Sequence, residues 1–138
     1  INRIEWTRRQ LDDLRAILRD QAGSAELVTM SNALTSKLVA VEENLIQLRL
    51  TGTGQDGVRW PARVSEQLRY VAGNLAAADF KPTDQDAEVH TLLKTQLDAS
   101  RRALEAIMAT DLPALNRLLQ QRNLPGIISE EDRDGRPE

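Results

Sequence analysis

The chain has 138 residues, 41% of them hydrophobic and 28% charged, a composition typical of one domain that buries roughly two thirds of its extended-chain surface. Aromatic residues make up only 3%, so the core is predicted to consist of Leu, Ile, Val and Ala in helix-on-helix packing. The chain has no cysteine, which excludes disulfides and thiolate chemistry. No segment approaches the roughly 18 apolar residues that a membrane span requires.

The charge distribution argues against nucleic-acid binding. The whole chain carries 18 basic and 21 acidic residues, whereas residues 1–128 carry 16 of each. Binding to nucleic-acid phosphates requires a cluster of positive charges on the protein surface. Residues 1–128, with equal numbers of basic and acidic residues, do not provide it. The segment 129–138 is short, polar and acidic, and we expect it to be disordered.

Apolar residues recur at steps of three and four, which predicts helices along the whole chain. A first helix ends before Gly23, and Ser24 is the candidate N-cap of a second helix over residues 25–50, about 39 Å long. Their stripes are Ile4, Leu11, Leu14 and Leu18, and then Leu34, Leu38, Val41, Leu45 and Leu48.

Three further helices follow. The third has the stripe Val64, Leu68, Val71 and Leu75; the fourth has Val89, Leu93, Leu97, Ser100, Leu104 and Ile107. Thr83 or Asp84 is the expected cap of the fourth, and residues 110–113, with Pro113 in a first turn, are expected to start a short fifth. That last helix carries Leu112, Leu115 and Leu118 or Leu119, and Asn123 to Gly126 stop it. The predicted fold is all-α, an up-and-down antiparallel bundle of four long helices and a short fifth, without a sheet, over residues 1–128.

Residues 52–57 spell G-x-G-x-x-G, the pattern of a dinucleotide phosphate loop. That loop functions after a β-strand and at the start of a helix. Here a helix precedes it, so the pattern is interpreted as a helix-to-helix corner with Pro61 near the first position of the third helix.

Five ordered landmarks carry a family resemblance: residues 37–47 (KLVAVEENLIQ), 55–61 (QDGVRWP), 82–85 (PTDQ), 110–116 (TDLPALN) and 124–126 (LPG). They resemble the C-terminal helical region of large bacterial BNR-repeat, sortilin-like β-propeller proteins, commonly labelled glycosyl hydrolases. The likeness covers about residues 25–128. It implies an accessory domain of an exported protein, periplasmic or extracellular. Residue 1 is Ile, which fits a processed chain or a piece of a larger protein.

The resemblance does not bring catalytic residues with it. A BNR repeat carries an Asp-box, S-x-D-x-G-x-T-W, on a β-hairpin, and residues 56–60 (DGVRW) lack its Ser, spaced Gly and Thr. Any hydrolase activity would then reside in the propeller. We therefore expect no catalytic, cofactor-binding or metal-binding residues in this chain.

The carboxylates and the single histidine are interpreted in the same way. Glycosidases need two carboxyls flanking one sugar, whereas the neighbours Glu42 and Glu43 diverge by about 100° on a helix. These two, with Glu66, Glu88 and Glu105, are expected on solvated faces. His90 has no Glu three residues before it and no second histidine, which argues against a di-iron site.

A histidine phosphotransfer bundle that uses His90 is the alternative function. Lys94 lies one turn beyond His90, where it could pair with a phosphate. Such modules usually resemble H-x-L-K-G, with lysine at the third position after the histidine and a small residue after the lysine, whereas this chain has Leu93 at that position and Thr95 after Lys94. A structural histidine is the favoured interpretation.

The expected partners are proteins. The chain is predicted to pack on its parent propeller, on another exported protein or on a second copy through an extra stripe of Val39, Ile46 and Leu50. Trp6 and Trp60 are expected to cover ends of the bundle, and Met30 and Met108 to fill gaps in the core.

Overall fold

The computed structural model describes residues 1–50, 56–77 and 81–129, apart from the side chains of 56 and 57. The five helices within those ranges are α1 (Asn2–Leu18), α2 (Ala25–Leu45), α3 (Asp56–Arg59), α4 (Val64–Ala76) and α5 (Asp84–Gln121). No strand occurs in these ranges. The all-α prediction is confirmed.

The chain divides into two compact units. Unit 1 comprises Ile1–Ala40 and Leu104–Glu138, and unit 2 comprises Val41–Ala103. The predicted single domain over residues 1–128 stays a prediction. Of the predicted disordered tail, Ser129 is buried, and residues 130–138 lie outside the described part of the chain.

In unit 1, α1 runs antiparallel to α2. The guanidinium of Arg15 donates to the hydroxyl of Ser31 at 3.0 Å and to that of Thr35 at 2.8 Å. The hydroxyl of Ser24, which directly precedes α2, donates to the carbonyl of Leu18 at 3.0 Å. Ser24 therefore lies at the predicted N-cap position and also ties the end of α1 to the start of α2.

The last part of α5 runs antiparallel to α2 in the same unit. Lys37 pairs with Asp111 at 2.5 Å, and Arg122, just after α5, pairs with Glu26 at 3.3 Å. The stripes of the three helices face one another and are buried, as the apolar period predicts. They are Ile4, Leu11, Leu14 and Leu18, then Leu27, Leu34 and Leu38, then Ile107, Met108, Leu112, Leu115 and Leu119.

Unit 2 contains the end of α2 with α3, α4 and the first part of α5. Its buried side chains include Val41, Val64, Leu93 and Ser100. The rest of the α4 stripe is only half-buried, at Leu68, Val71 and Leu75. Unit 2 therefore leaves much of its apolar surface accessible.

The second helix ends earlier than predicted. The sequence predicts a helix to residue 50, but α2 stops at Leu45 and a turn follows, with the amide of Leu50 bonded to the Gln47 carbonyl at 3.2 Å. The side-chain amide of Gln47 donates to the carbonyl of Pro61 at 3.0 Å, and its oxygen accepts from the Arg49 amide at 3.4 Å. These hydrogen bonds across the corner take the place of the backbone hydrogen bonds that a helix extending to residue 50 would form.

Three predictions about this part of the chain are affected. Pro61 lies three residues before α4 begins, so its expected place near the first helical position is wrong. Most of the G-x-G-x-x-G segment, residues 52–55, lies outside the described residues. Because Ile46 and Leu50 follow the end of α2, they do not extend a helical stripe with Val39, which removes the predicted geometry for self-association.

The predicted fourth and fifth helices form one helix. Thr83 directly precedes α5 as predicted, but α5 continues for 38 residues through Pro113. Proline inside a helix costs about 3 kcal/mol because it removes an N–H and crowds the preceding turn. The buried stripe before Pro113, at Ile107 and Met108, continues after it at Leu115 and Leu119. Burying each such side chain contributes about 1.5–3 kcal/mol, which offsets the proline.

The chain after α5 is held as an ordered segment. Asn123 adopts a left-handed conformation (φ 56°), and the amide of Leu124 bonds to the carbonyl of Leu119 at 2.9 Å, which ends the helix where predicted. The side chain of Gln10 donates to the Ile128 carbonyl at 2.8 Å and accepts from the Ile128 amide at 2.9 Å. Ile127 is buried.

Candidate functional site

His90, the residue of the alternative function, lies on α5 in unit 2 with its side chain exposed. Lys94, one turn later, is exposed as well. No group of three or more His, Asp or Glu side chains that could hold a metal ion occurs among residues 1–50, 56–77 and 81–129.

The predicted solvated face is wrong for Glu42. Its side chain is 1% exposed, whereas Glu43 is exposed. Glu42 lies four residues after the buried Leu38, so it continues the buried stripe of α2. This four-residue spacing could have predicted the burial of Glu42 from the sequence. It was missed because glutamate is a polar residue. Glu42 and Glu43 face different environments and do not form a carboxylate pair.

The other singled-out carboxylates are also separated. Glu66 is the third residue of α4, and its Oε2 accepts the amide of Arg63 at 2.8 Å, as in a capping box. Glu88 and Glu105 are exposed on α5. Glu66 therefore has a structural role at the start of α4, whereas Glu88 and Glu105 lie on the exposed surface of α5.

The two tryptophans lie in different units. Trp60, half-buried in unit 2, lies beneath the guanidinium of Arg49, 4.5 Å from the ring centroid. This cation–π contact accompanies the Gln47 hydrogen bonds at the corner. Trp6 is half-buried within α1. Met108 is buried and Met30 half-buried.

Unit 1 has an open groove of about 850 Å³. Its lining includes the charged residues Arg3, Glu105 and Arg117, together with Pro113 and Asn116. The side-chain nitrogen of Asn116 donates to the Ile127 carbonyl at 2.9 Å, and its side-chain oxygen accepts from the Ile127 amide at 2.8 Å. This groove therefore lies beside a structural contact that holds the C-terminal segment.

Unit 2 has a groove between α4 and α5, here called the α4–α5 groove, whose first part is mainly apolar and whose second part is more polar. One part, of about 530 Å³, is lined by Tyr70, Val71 and Val89 among others. A second part, of about 510 Å³, is lined by residues that include Arg63 and Ala99. Ala62 and Gln67 line both parts, so the two are adjacent.

Exposed apolar side chains concentrate in unit 2. Of the nine large apolar side chains that are exposed among the described residues, seven belong to this unit. They include Tyr70, which is 71% exposed, and Leu92, which is 58% exposed. The sequence predicted Val89 and Leu97 as core residues, and both are exposed. Two of the seven, Tyr70 and Val89, line the α4–α5 groove, which is therefore the candidate functional site.

The fold and this groove define an all-α protein with an apolar surface groove. None of its described helices is long and apolar enough to cross a membrane. Comparisons with models of protein families, with curated proteins and with solved structures found no match.

Proposed function

We propose that this chain is a non-catalytic interaction domain that binds another protein through unit 2. The observation that carries the proposal is the concentration of exposed apolar side chains there: Tyr70 and Val89 line one groove, and Leu92 is exposed on α5 one turn after Val89. Contiguous apolar surface exposed to water is unfavourable, and on folded proteins such patches usually mark binding sites. Large side chains such as tyrosine often provide much of the binding free energy.

The carboxylates support a non-catalytic role. Glu66 and Asp86 both accept hydrogen bonds from backbone amides at helix starts, and Glu42 is buried away from solvent. A general acid and a nucleophile need to face one another across a bound substrate. The carboxylates that line the α4–α5 groove instead have capping roles.

We further propose that the domain is the C-terminal part of an exported BNR-repeat, glycosyl hydrolase-like protein. The landmarks in residues 37–47, 55–61, 82–85, 110–116 and 124–126 support this proposal. The partner is then the parent propeller or another exported protein. Asp-box repeats encoded in the same reading frame before residue 1 are the expected finding, and a reading frame with an unrelated neighbour would contradict the proposed parent.

The interaction is tested by titrating the full chain with the separately expressed propeller in a calorimeter. We expect saturable binding that Tyr70→Ala and Leu92→Ala each weaken by about tenfold or more. Ile17→Ala is the matched control, because Ile17 is an exposed apolar residue, 54% accessible, in unit 1. Hydrolysis of a glycoside panel by the chain alone would refute the non-catalytic role.

The exposure of His90 and Lys94 favours a second candidate, a phosphotransfer module. An exposed imidazole can accept a phosphoryl group, and a lysine one turn away can pair with it. Incubation with a small phosphodonor tests this function. Acid-labile phosphate on the chain that disappears in His90→Ala would support it, and an unlabelled chain would exclude it for that donor class.

A further inference from the structure

The α4–α5 groove runs between two helices, and Asn44 near the end of α2 also lines its second part. Within unit 2, residues early in α5 line the groove with residues late in α4, and Ala99 lines it with Arg63 just before α4. The two helices are therefore antiparallel. Their backbone bonds are satisfied within each helix, so the groove offers side-chain ridges rather than a strand edge.

The α5 side of the groove follows one helical stripe. The α5 residues that line it are Gln85, Asp86, Val89, Gln96, Ala99, Ser100 and Ala103. Most of them follow a three-and-four spacing, and Leu92 occupies the position between Val89 and Gln96 at that spacing. From residue 85 to residue 103 the stripe is about 27 Å long, the length of a helix of about 18 residues. A helix laid along it would cover Val89 and Leu92 together.

The groove also has charges at defined places. Glu66 and Asp86 line the part that contains Tyr70, and Arg63 lines the other part. Asp86 Oδ2 accepts from the amide of Thr83 at 2.9 Å and from its hydroxyl at 2.7 Å. Its pKa is lowered, first by the hydroxyl and then by the amide bond, so the carboxylate stays charged.

This pattern specifies the chemistry of an occupant. Among the described residues, no lysine or arginine lines the acidic part of the groove, so this part favours a cation beside an apolar side chain. Arg63 favours an anion toward the other end. A helix that placed a cation at the acidic part and an anion near Arg63 would be apolar on one face, basic at one end and acidic at the other.

We propose that the α4–α5 groove binds an amphipathic helix of a partner protein. Apolar anchors at three- and four-residue spacing cover Tyr70, Val89 and Leu92, and a lysine or arginine of the partner faces Glu66 and Asp86. This proposal rests on the proposed function and names the partner's binding element.

Two synthetic helices of 18 residues test the proposal by fluorescence anisotropy. Both carry the same leucine stripe; one has two lysines at the end that meets Glu66, and the other has two glutamates there. We expect saturable binding of the lysine peptide to the full chain, and about tenfold weaker binding of the glutamate peptide. Leu92→Ala should weaken both by about tenfold, while Ile17→Ala leaves both unchanged.

Glu66→Gln isolates the charge, because glutamine keeps an oxygen that can accept the Arg63 amide. This variant should reduce the preference for the lysine peptide while its circular dichroism stays that of the parent chain. Equal affinity for the two peptides, or an unchanged preference in Glu66→Gln, overturns the proposed recognition.

Two other outcomes also contradict the proposal. Sedimentation that shows a dimer, dispersed by Leu92→Asp and by the lysine peptide, would assign the groove to a second copy of the chain. Binding of the propeller with an affinity that Tyr70→Ala and Leu92→Ala leave unchanged would retain the interaction function and reject this groove as its site.

Discussion

The side chain of Asn116 forms two hydrogen bonds with the backbone of Ile127. Its amide nitrogen donates to the Ile127 carbonyl at 2.9 Å, and its oxygen accepts from the Ile127 amide at 2.8 Å. Gln10 makes the same pair of bonds with Ile128 from α1. Two amide side chains, one on α1 and one on α5, thus hold consecutive residues of the C-terminal segment within unit 1.

Replacing Asn116 by alanine should lower the free energy of unfolding by about 1–3 kcal/mol, because both backbone groups of Ile127 lose their partner. Urea unfolding followed by circular dichroism measures the loss. Gln120→Ala is the control, since Gln120 is exposed one turn later on α5. Equal stability of the two variants would show that the contact does not stabilise the fold.

Gly126→Ala should be destabilising through the same contact. An added Cβ would lie 3.3 Å from the side-chain oxygen of Asn116, closer than ordinary van der Waals contact. We expect a loss of about 1 kcal/mol in the parent chain and a smaller loss in the Asn116→Ala background, measured as a double-mutant cycle. Gly73→Ala, where the added atom meets nothing within 4 Å, should instead stabilise α4 by up to about 1 kcal/mol. Additive losses in the cycle would contradict the proposed clash.

Pro113→Ala should raise the free energy of unfolding by about 1–3 kcal/mol, since alanine restores the missing amide donor and fits the helix interior. Thermal and urea unfolding both report the change. Ala114→Pro, one residue later in the same helix, is the matched opposite change and should be strongly destabilising. A less stable Pro113→Ala variant would mean that the proline stabilises its site.

The stability of the chain should depend on the ionisation of Asp86. Hydrogen bonds from Thr83 lower the pKa of this carboxyl below its ordinary value of 3.8. A lowered pKa in the folded state contributes stability above pH 3.8, and that contribution is lost as the pH falls through the lower folded value. The urea midpoint of the parent chain should therefore exceed that of Asp86→Asn at neutral pH, and the difference should shrink in acid.

Thr83→Val provides the control for that titration. The Thr83 hydroxyl is the largest cause of the lowered pKa, followed by its backbone amide. This variant should lose part of the pH dependence and keep part of it. A midpoint difference between the parent chain and Asp86→Asn that is independent of pH would refute the assignment to this carboxyl.

Local sequence signals determined the helices and most of the buried stripe in unit 1. Leu11, Leu14 and Leu38 are buried where the three-and-four spacing places them, because one face of a helix must be sheltered from water. Thr83 likewise directly precedes α5 as expected. These features depend on neighbours within a few residues.

The α4–α5 groove could be predicted only in part from such local signals. Val89 has the correct spacing for a core residue and yet is exposed, since periodicity identifies an apolar face without showing whether another element covers it. Leu92 lies off the predicted stripe, and its exposure depends on which elements pack beside α5 within unit 2.

The amino-acid sequence by itself determined an all-helical chain with leucine-rich faces, because helical periodicity is a local property. Tertiary structure decided that α5 continues through Pro113, that α2 ends at Leu45, and that Gln10 and Asn116 hold the C-terminal segment. Each outcome depends on contacts between residues distant in the chain, whose burial and hydrogen bonds outweigh local preference.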